Sequence, residues 1–320
     1  MYEVIFLFLL ALVWIVFATF QDLKKREIAN WLNFSLIIFA LGFRFFYSLF
    51  SENFNFFLQG IIGLAVFLIL GNLFYYSRIF AGGDAKLMIA LGPVIPFSGN
   101  LLANIKIFGL FLVLFFFVGA LYGLIYSGVL AIRNKGKFKR EFITQFKKNK
   151  KIFGFFMLVA LIFIILGFFE SFLFAVGVFI FISVHLYTYA KSVDIACMVK
   201  KLKASQLTEG DWLYEDVKIG KKLIQANWGG LTKAQIKMIQ KKHKSVLIRQ
   251  GIPFAPVFLI SFLVLFYLWA TNYGILLGSQ IFSVIFSVLG FLTLLIFPFS
   301  INFSCEEINS SCSAWYLFEF

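Results

Sequence analysis

Long apolar runs separated by short polar breaks set the pattern of this chain. A helix needs about 20 mostly apolar residues to cross a bilayer core. On that measure the sequence predicts spans at about 4–20, 31–50, 57–76, 84–97, 105–132, 152–167, 172–189, 252–270 and 275–297. The fourth is short and carries Pro93 and Pro96 near its far end. The predicted fold class is an all-α polytopic membrane protein of about nine transmembrane helices. A small cytoplasmic region separates spans seven and eight. The implied division is a membrane-embedded core at 1–190, a small basic region at 191–250, and C-terminal spans with a tail at 251–320.

Inside 191–250 the alternation is of another kind. Thr232-Lys233-Ala234-Gln235 has capping-box spacing and predicts a helix over Leu-Thr-Lys-Ala-Gln-Ile and onward to Gln250. Leu231, Ile236, Ile239, His243 and Val246 form its less polar face. Leu207–Asp211 reads as a turn before a short extended piece at Trp212–Ile219. The first apolar run has Glu3 where a secretory signal needs positive charge, and it lacks a small-residue cleavage site. It is expected to be retained as a span.

Composition agrees with the pattern. The chain is 61% apolar and only 14% charged, against about 25% charged for an ordinary soluble chain. Its net charge of +14 gathers in Lys24-Lys25-Arg26, in Arg133–Lys151 and in Lys191–Arg249. With the amino terminus outside, alternation of the spans puts all three clusters on the cytoplasmic side, as the positive-inside rule requires. The opposite loops hold Glu52, Glu170 and Asn272. The agreement holds only if the short fourth span is a true crossing. Membrane topology thus explains the basic charge, and no nucleic-acid partner is expected. Cys197, Cys305, Cys312, His185 and His243 have no metal-ligand spacing, so neither a metal nor a cofactor is expected.

The same parity brings Asp22 and Asp84 to a common depth, each at the cytoplasmic end of its span. Acids at the edge of a lipid-embedded bundle are costly and point to function. Two close carboxylates cannot both ionise, so they share one proton and titrate as a unit. One can then take a proton from water while the other polarises a scissile carbonyl. Gly82 and Gly83, beside Asp84, would let an extended substrate backbone approach. Each residue alone has an ordinary explanation. Asp22 reads as a solvated loop acid, Asp84 as a helix N-terminal acid, and Gly82-Gly83 as a tight turn. Lys86 reads as a topological anchor or as a charge acting on a neighbouring acid. His185 reads as a satisfied bundle residue, and Asp194 as a capping or surface acid.

The spacing of the two aspartates adds what neither supplies alone. Asp22-Leu23-Lys24-Lys25-Arg26-Glu27-Ile28-Ala29-Asn30 and Gly82-Gly83-Asp84-Ala85-Lys86-Leu87 resemble the two aspartate motifs of the type IV prepilin and preflagellin peptidases. Ala29 stands where that family has proline, and Ala81 where its GxGD motif has the first glycine. The resemblance covers about the first 130 residues, and it extends less distinctly to the basic region and the Ile252–Pro256 opening of span eight. It implies an intramembrane aspartic endopeptidase with Asp22 and Asp84 as catalytic dyad and Gly82, Gly83 and Lys86 in support. The implied partners are pilin-like or flagellin precursors with short positive leaders, cut at the cytoplasmic boundary. No cysteine-rich methyltransferase domain is present, so methylation is not expected.

Three other readings are open to the sequence. A presenilin-like protease would carry Tyr-Asp and Pro-Ala-Leu motifs, and neither occurs. An ion-coupled transporter would use Asp22 and Asp84 as a proton or cation relay. A non-catalytic platform for filament assembly would dock partners on the basic region.

Overall fold

A computed structural model describes residues 2–220, 222–227 and 229–271. They form two compact units, one of residues 2–122 with 253–271 and one of the described residues between 123 and 252.

The first unit opens with three long helices, α1 (Tyr2–Lys25), α2 (Asn30–Phe50) and α3 (Asn55–Tyr76). The short α4 (Gly82–Leu91) follows, then α5 (Leu101–Arg133), inside which the unit boundary falls. The later α10 (Ala255–Ala270) packs back against α1. Leu7, Ala11 and Ile15 of α1, Leu36 and Ala40 of α2, Met88 and Leu91 of α4, Phe111 and Phe115 of α5, and Phe258 and Phe262 of α10 fill the centre. The outer faces carry large apolar side chains such as Phe17, Phe34, Ile38 and Ile69, whereas Arg44, Asn104 and Gln59 are inside. Polar inside and apolar outside is the arrangement that lipid, not water, stabilises.

Five helices among the described residues are long and apolar enough to cross a membrane: α1, α2, α3, α5 and the one that begins at Ser171. The apolar α10 is shorter. Each expected span up to 252–270 falls on a helix, the fourth only in part; the expected span at 275–297 lies outside the described residues.

The fourth expected span is only partly helical. α4 ends at Leu91, and the chain through Pro93 and Pro96 to Phe97 runs on as buried irregular backbone. Proline removes donors and stops the helix. Irregular backbone at membrane depth persists only where protein surrounds it and satisfies it. Here Arg44 of α2 supplies the donors. Its Nε donates to the Pro93 carbonyl at 2.6 Å and its Nη2 to that of Pro96 at 2.6 Å, while Nη1 donates to Phe56 at 2.7 Å. Beside this, Asn104 donates to the Gln59 side chain and to the Ser98 carbonyl, each at 2.8 Å.

Glycines let α3 lie close along α4. A methyl group at Gly63 would collide with the Gly92 carbonyl, and one at Gly71 would lie 2.6 Å from Ile89. Small residues at such crossings are the usual device of helix packing in lipid.

The second unit corrects two expectations. The basic segment at 133–151, expected as a loop, folds as α6 (Lys135–Lys148), which bends by 77° into the apolar α7 (Lys150–Leu166). Phe138, Phe142 and Phe146 recur every fourth residue and give α6 an apolar edge, with Phe138 tilted against Phe142 and Phe146 edge-on to Phe153. α7 packs along α8 (Ser171–Val193).

The expectation of an all-α chain is also corrected, because five strands follow. β1 (Val199–Lys203), β5 (Ser245–Arg249) and β2 (Trp212–Leu213) form an antiparallel sheet in the order β1-β5-β2. β3 (Val217–Ile219) pairs with β4 (Lys222–Ile224) as a hairpin. The capping box of Thr232 and Gln235 is present and opens α9 (Lys233–Lys242). That helix stops at His243, and Ser245–Arg249, expected as its continuation, is a strand whose residues alternate in burial. Leu213, Val217, Ile236, Ile239, Val246 and Ile248 make a small core of their own.

Candidate active site

The buried stripe of α1 runs Leu7, Ala11, Ile15, Ala18, Asp22, at the three- and four-residue spacing of one helix face. Asp22 therefore points into the bundle and is only 6% exposed. It is not a solvated loop acid. Its carboxylate accepts the Ala255 backbone N–H at 2.8 Å. Ala255 is the first residue of α10, so one of that helix's unpaired amides has its partner here. The positive end of the α10 dipole faces the carboxylate.

Beyond Asp22 the chain leaves α1 by a left-handed residue, Arg26, with φ of 57°. The Arg26 amide donates to the Asp22 carbonyl at 2.8 Å. Ile28 dips into the core, and Ala29 precedes α2 with φ −64° and ψ 133°. Those are angles a proline adopts. Its N–H, which proline would lack, donates to the Gln21 side chain at 3.1 Å. Alanine thus keeps the bend and adds a hydrogen bond.

Asp84 is the third residue of α4 and half-buried. Its side chain takes a bond from the backbone of Ala81, the residue that caps the helix. Ala81 has φ −70° and ψ 160°, ordinary extended backbone that needs no glycine. Neither Gly82 nor Gly83 is in the left-handed region. At Gly82 an added methyl would find only Tyr75 at 3.7 Å. The two glycines leave bare backbone beside Asp84.

Two contacts join the two motifs, and Asp84 feels the Asp22 charge. The Gly83 backbone sits beside Ile28, with 3.5 Å between the Ile28 Cβ and where a Gly83 Cβ would stand. The Lys86 Nζ donates to Asn30 Oδ1 at 2.8 Å. The loop after Asp22 and the start of α4 at Asp84 thus pack together, although the two acids are 62 positions apart in sequence.

Residues 9–128 match the model of the Type IV leader peptidase family. That segment is similar to the type IV leader peptidases. The matched segment holds both motifs but not α10. Curated relatives point the same way. A preflagellin peptidase of Methanocaldococcus jannaschii is 34% identical over 89 residues, 28% of this chain and 38% of that protein. One of Methanococcus maripaludis is 27% identical over 148 residues, 42% of this chain and 64% of that protein. One of Methanococcus voltae is 29% identical over 87 residues, 27% of this chain and 37% of that protein. The chain therefore matches less than two thirds of the length of each. No solved structure matches it.

Two features of this part of the bundle were not read from the sequence. The amide opening α10 carries no side-chain signature. Arg44 was legible as the sole charge in the 31–50 run, but its partners are carbonyls. Other polar residues serve the second unit. His185 bonds the Phe181 carbonyl of its own helix at 2.8 Å, and Asp194 pairs with Arg249 at 3.2 Å. Among the described residues, no group of three or more His, Cys, Asp or Glu side chains is arranged to hold a metal.

Proposed function

We propose that this protein is a membrane-embedded aspartic endopeptidase that removes the short, positively charged leader from flagellin-like or type IV pilin-like precursors. The observation that carries the proposal is the packing of the two aspartate motifs against each other beside bare glycine backbone, Gly83 against Ile28 and Lys86 on Asn30. Asp22, held by the opening amide of α10, carries the negative charge of the pair and acts as base. Asp84 holds the shared proton and donates it to the scissile carbonyl oxygen. Water loses a proton to Asp22 and adds to that carbonyl. The tetrahedral intermediate collapses as the proton on Asp22 passes to the leaving amine. Asp84 regains its proton from the collapsing hydroxyl, leaving a new carboxyl group on the leader.

The arrangement of charges supports a topology in the same proposal. Nine spans, an external amino terminus and an active site at the cytoplasmic face put 133–151 and 191–250 on the positive side. A precursor whose basic leader stays in the cytoplasm while its apolar helix enters the bilayer presents its cleavage point at that depth.

The test is cleavage of a leader-bearing preflagellin or prepilin by membranes containing the protein, compared with Asp22→Asn and Asp84→Asn at equal expression. Each variant is expected to lose about 10³-fold or more in rate. Parent-level cutting by either variant would remove that residue from the dyad. A parent that cuts no such precursor but drives proton-coupled uptake in liposomes would establish the relay reading instead.

A further inference from the structure

An arginine with no exposed surface sits in the bundle at Arg44, and the proposed chemistry makes no use of it. Charge at membrane depth is costly and persists where it is needed. Three of its five donors go to one target, the irregular backbone that ends α4, and a fourth goes to Phe56. Besides the bonds to Pro93 and Pro96, Nη2 reaches the Val94 carbonyl at 3.4 Å. The guanidinium lies over the Phe56 ring, 4.3 Å from its centre. Gly60 makes room, since a methyl group there would collide with the Arg44 side chain.

α2 therefore grips α4 at both ends. At one end Asn30 takes the Lys86 ammonium; at the other Arg44 takes the carbonyls of Pro93 and Pro96. Arg44 also meets the negative end of the α4 dipole. Between the grips α4 is a rod of 10 residues, about 15 Å long. A shift of that rod along its axis moves Asp84 by the same amount. The glycine crossing with α3 holds α4 sideways, and a smooth small-residue groove resists sliding least along its length.

We infer that Arg44 is a positioning residue: by binding the carbonyls at the far end of α4 it fixes the depth of Asp84 opposite Asp22. This inference rests on the peptidase reading for its consequence, and on geometry alone for its cause. Arg44 touches neither acid.

Disulfide trapping reads the geometry directly. The Ile28 Cβ and a Cβ at residue 83 stand 3.5 Å apart, at the short end of the separation that a disulfide spans. In the full chain carrying Cys197→Ser, Cys305→Ser and Cys312→Ser, the pair Ile28→Cys with Gly83→Cys is oxidised under mild conditions and the bond is followed by a gel-mobility assay. With Arg44 present, crosslinking is expected to be fast and nearly complete. With Arg44→Met it is expected to slow at least tenfold. Arg44→Lys keeps the charge but cannot span the carbonyls, and it is expected to fall between them. In the chain with Ile28 and Gly83 intact, cleavage by Arg44→Lys is expected to lose about tenfold in kcat with KM within twofold, because the leader-binding surface is unaltered. Parent-level crosslinking and kcat in Arg44→Lys, or in a folded Arg44→Met, would overturn the inference. If Arg44→Met does not fold, the Arg44→Lys result decides. If the parent cuts no precursor, the peptidase reading fails while the crosslinking comparison still decides what Arg44 does.

Discussion

Gly92 offers the sharpest test of how closely the site depends on packing remote from it. It lies eight residues beyond Asp84, where α4 crosses α3, and its backbone is right-handed helical at φ −50° and ψ −51°. An alanine is thus conformationally acceptable there, and any effect comes from the methyl group alone. That methyl would stand 2.7 Å from the Gly63 carbonyl oxygen and 2.8 Å from the Leu64 Cα, against about 3.4 Å for ordinary contact. Both obstacles are backbone, so the helices must part by roughly 0.7 Å. Overpacking of that kind costs about 1–3 kcal/mol. A displacement approaching 1 Å in a catalytic group costs up to about 10²-fold in rate. Gly92→Ala is therefore expected to lower the melting temperature in detergent and to cut precursor cleavage by about 10- to 100-fold. Gly42→Ala in α2 and Gly109→Ala in α5 are the controls, since neither methyl would meet anything within 4 Å. Both should leave cleavage unchanged and gain about 0.5–1 kcal/mol of helix stability. Cleavage and melting of Gly92→Ala equal to the parent's would refute the close approach of α3 and α4.

Lys86→Ala and Asn30→Ala should each weaken cleavage modestly, and the double variant no further, because both remove one hydrogen bond of about 1–2 kcal/mol; additive losses in a double-mutant cycle would show that the two residues act apart. Thr232→Ala should destabilise the strand-bearing part of the second unit by about 1 kcal/mol through loss of the capping box, seen as faster amide exchange in α9; unchanged exchange would mean that the cap contributes nothing.

How far the fold was legible follows from which forces act locally. Apolar length alone marks α1, α2, α3, α5, α7, α8 and α10, because lipid demands it of each segment independently. Asp22 and Asp84 were legible through spacing and charge parity, although the burial of Asp22 was not, since its partner amide lies 233 residues away. The stretch from Thr232 to Arg249 misled at its end. Ile236, Ile239, His243 and Val246 fit a helical face, yet Val246 and Ile248 also fit the alternation of a strand. Pairing with Val199–Lys203 decided the matter, and pairing of distant strands leaves no local mark. α6 was hidden for the opposite reason, its positive charge having drawn attention away from the four-residue recurrence of Phe138, Phe142 and Phe146.

The capping of Asp22 by Ala255 also has a consequence for biosynthesis. The ribosome makes α1 through α4 early, but the amide that holds Asp22 emerges only after 233 further residues, including the whole of 123–252. At about 5–20 residues per second, that is a delay of roughly 10–50 s. Asp84 follows Asp22 by 62 residues, and for the rest of that interval both acids exist while the donor that fixes one of them does not. A nascent chain is therefore inserted well before it is competent, and the arrival of α10 completes the work of α1.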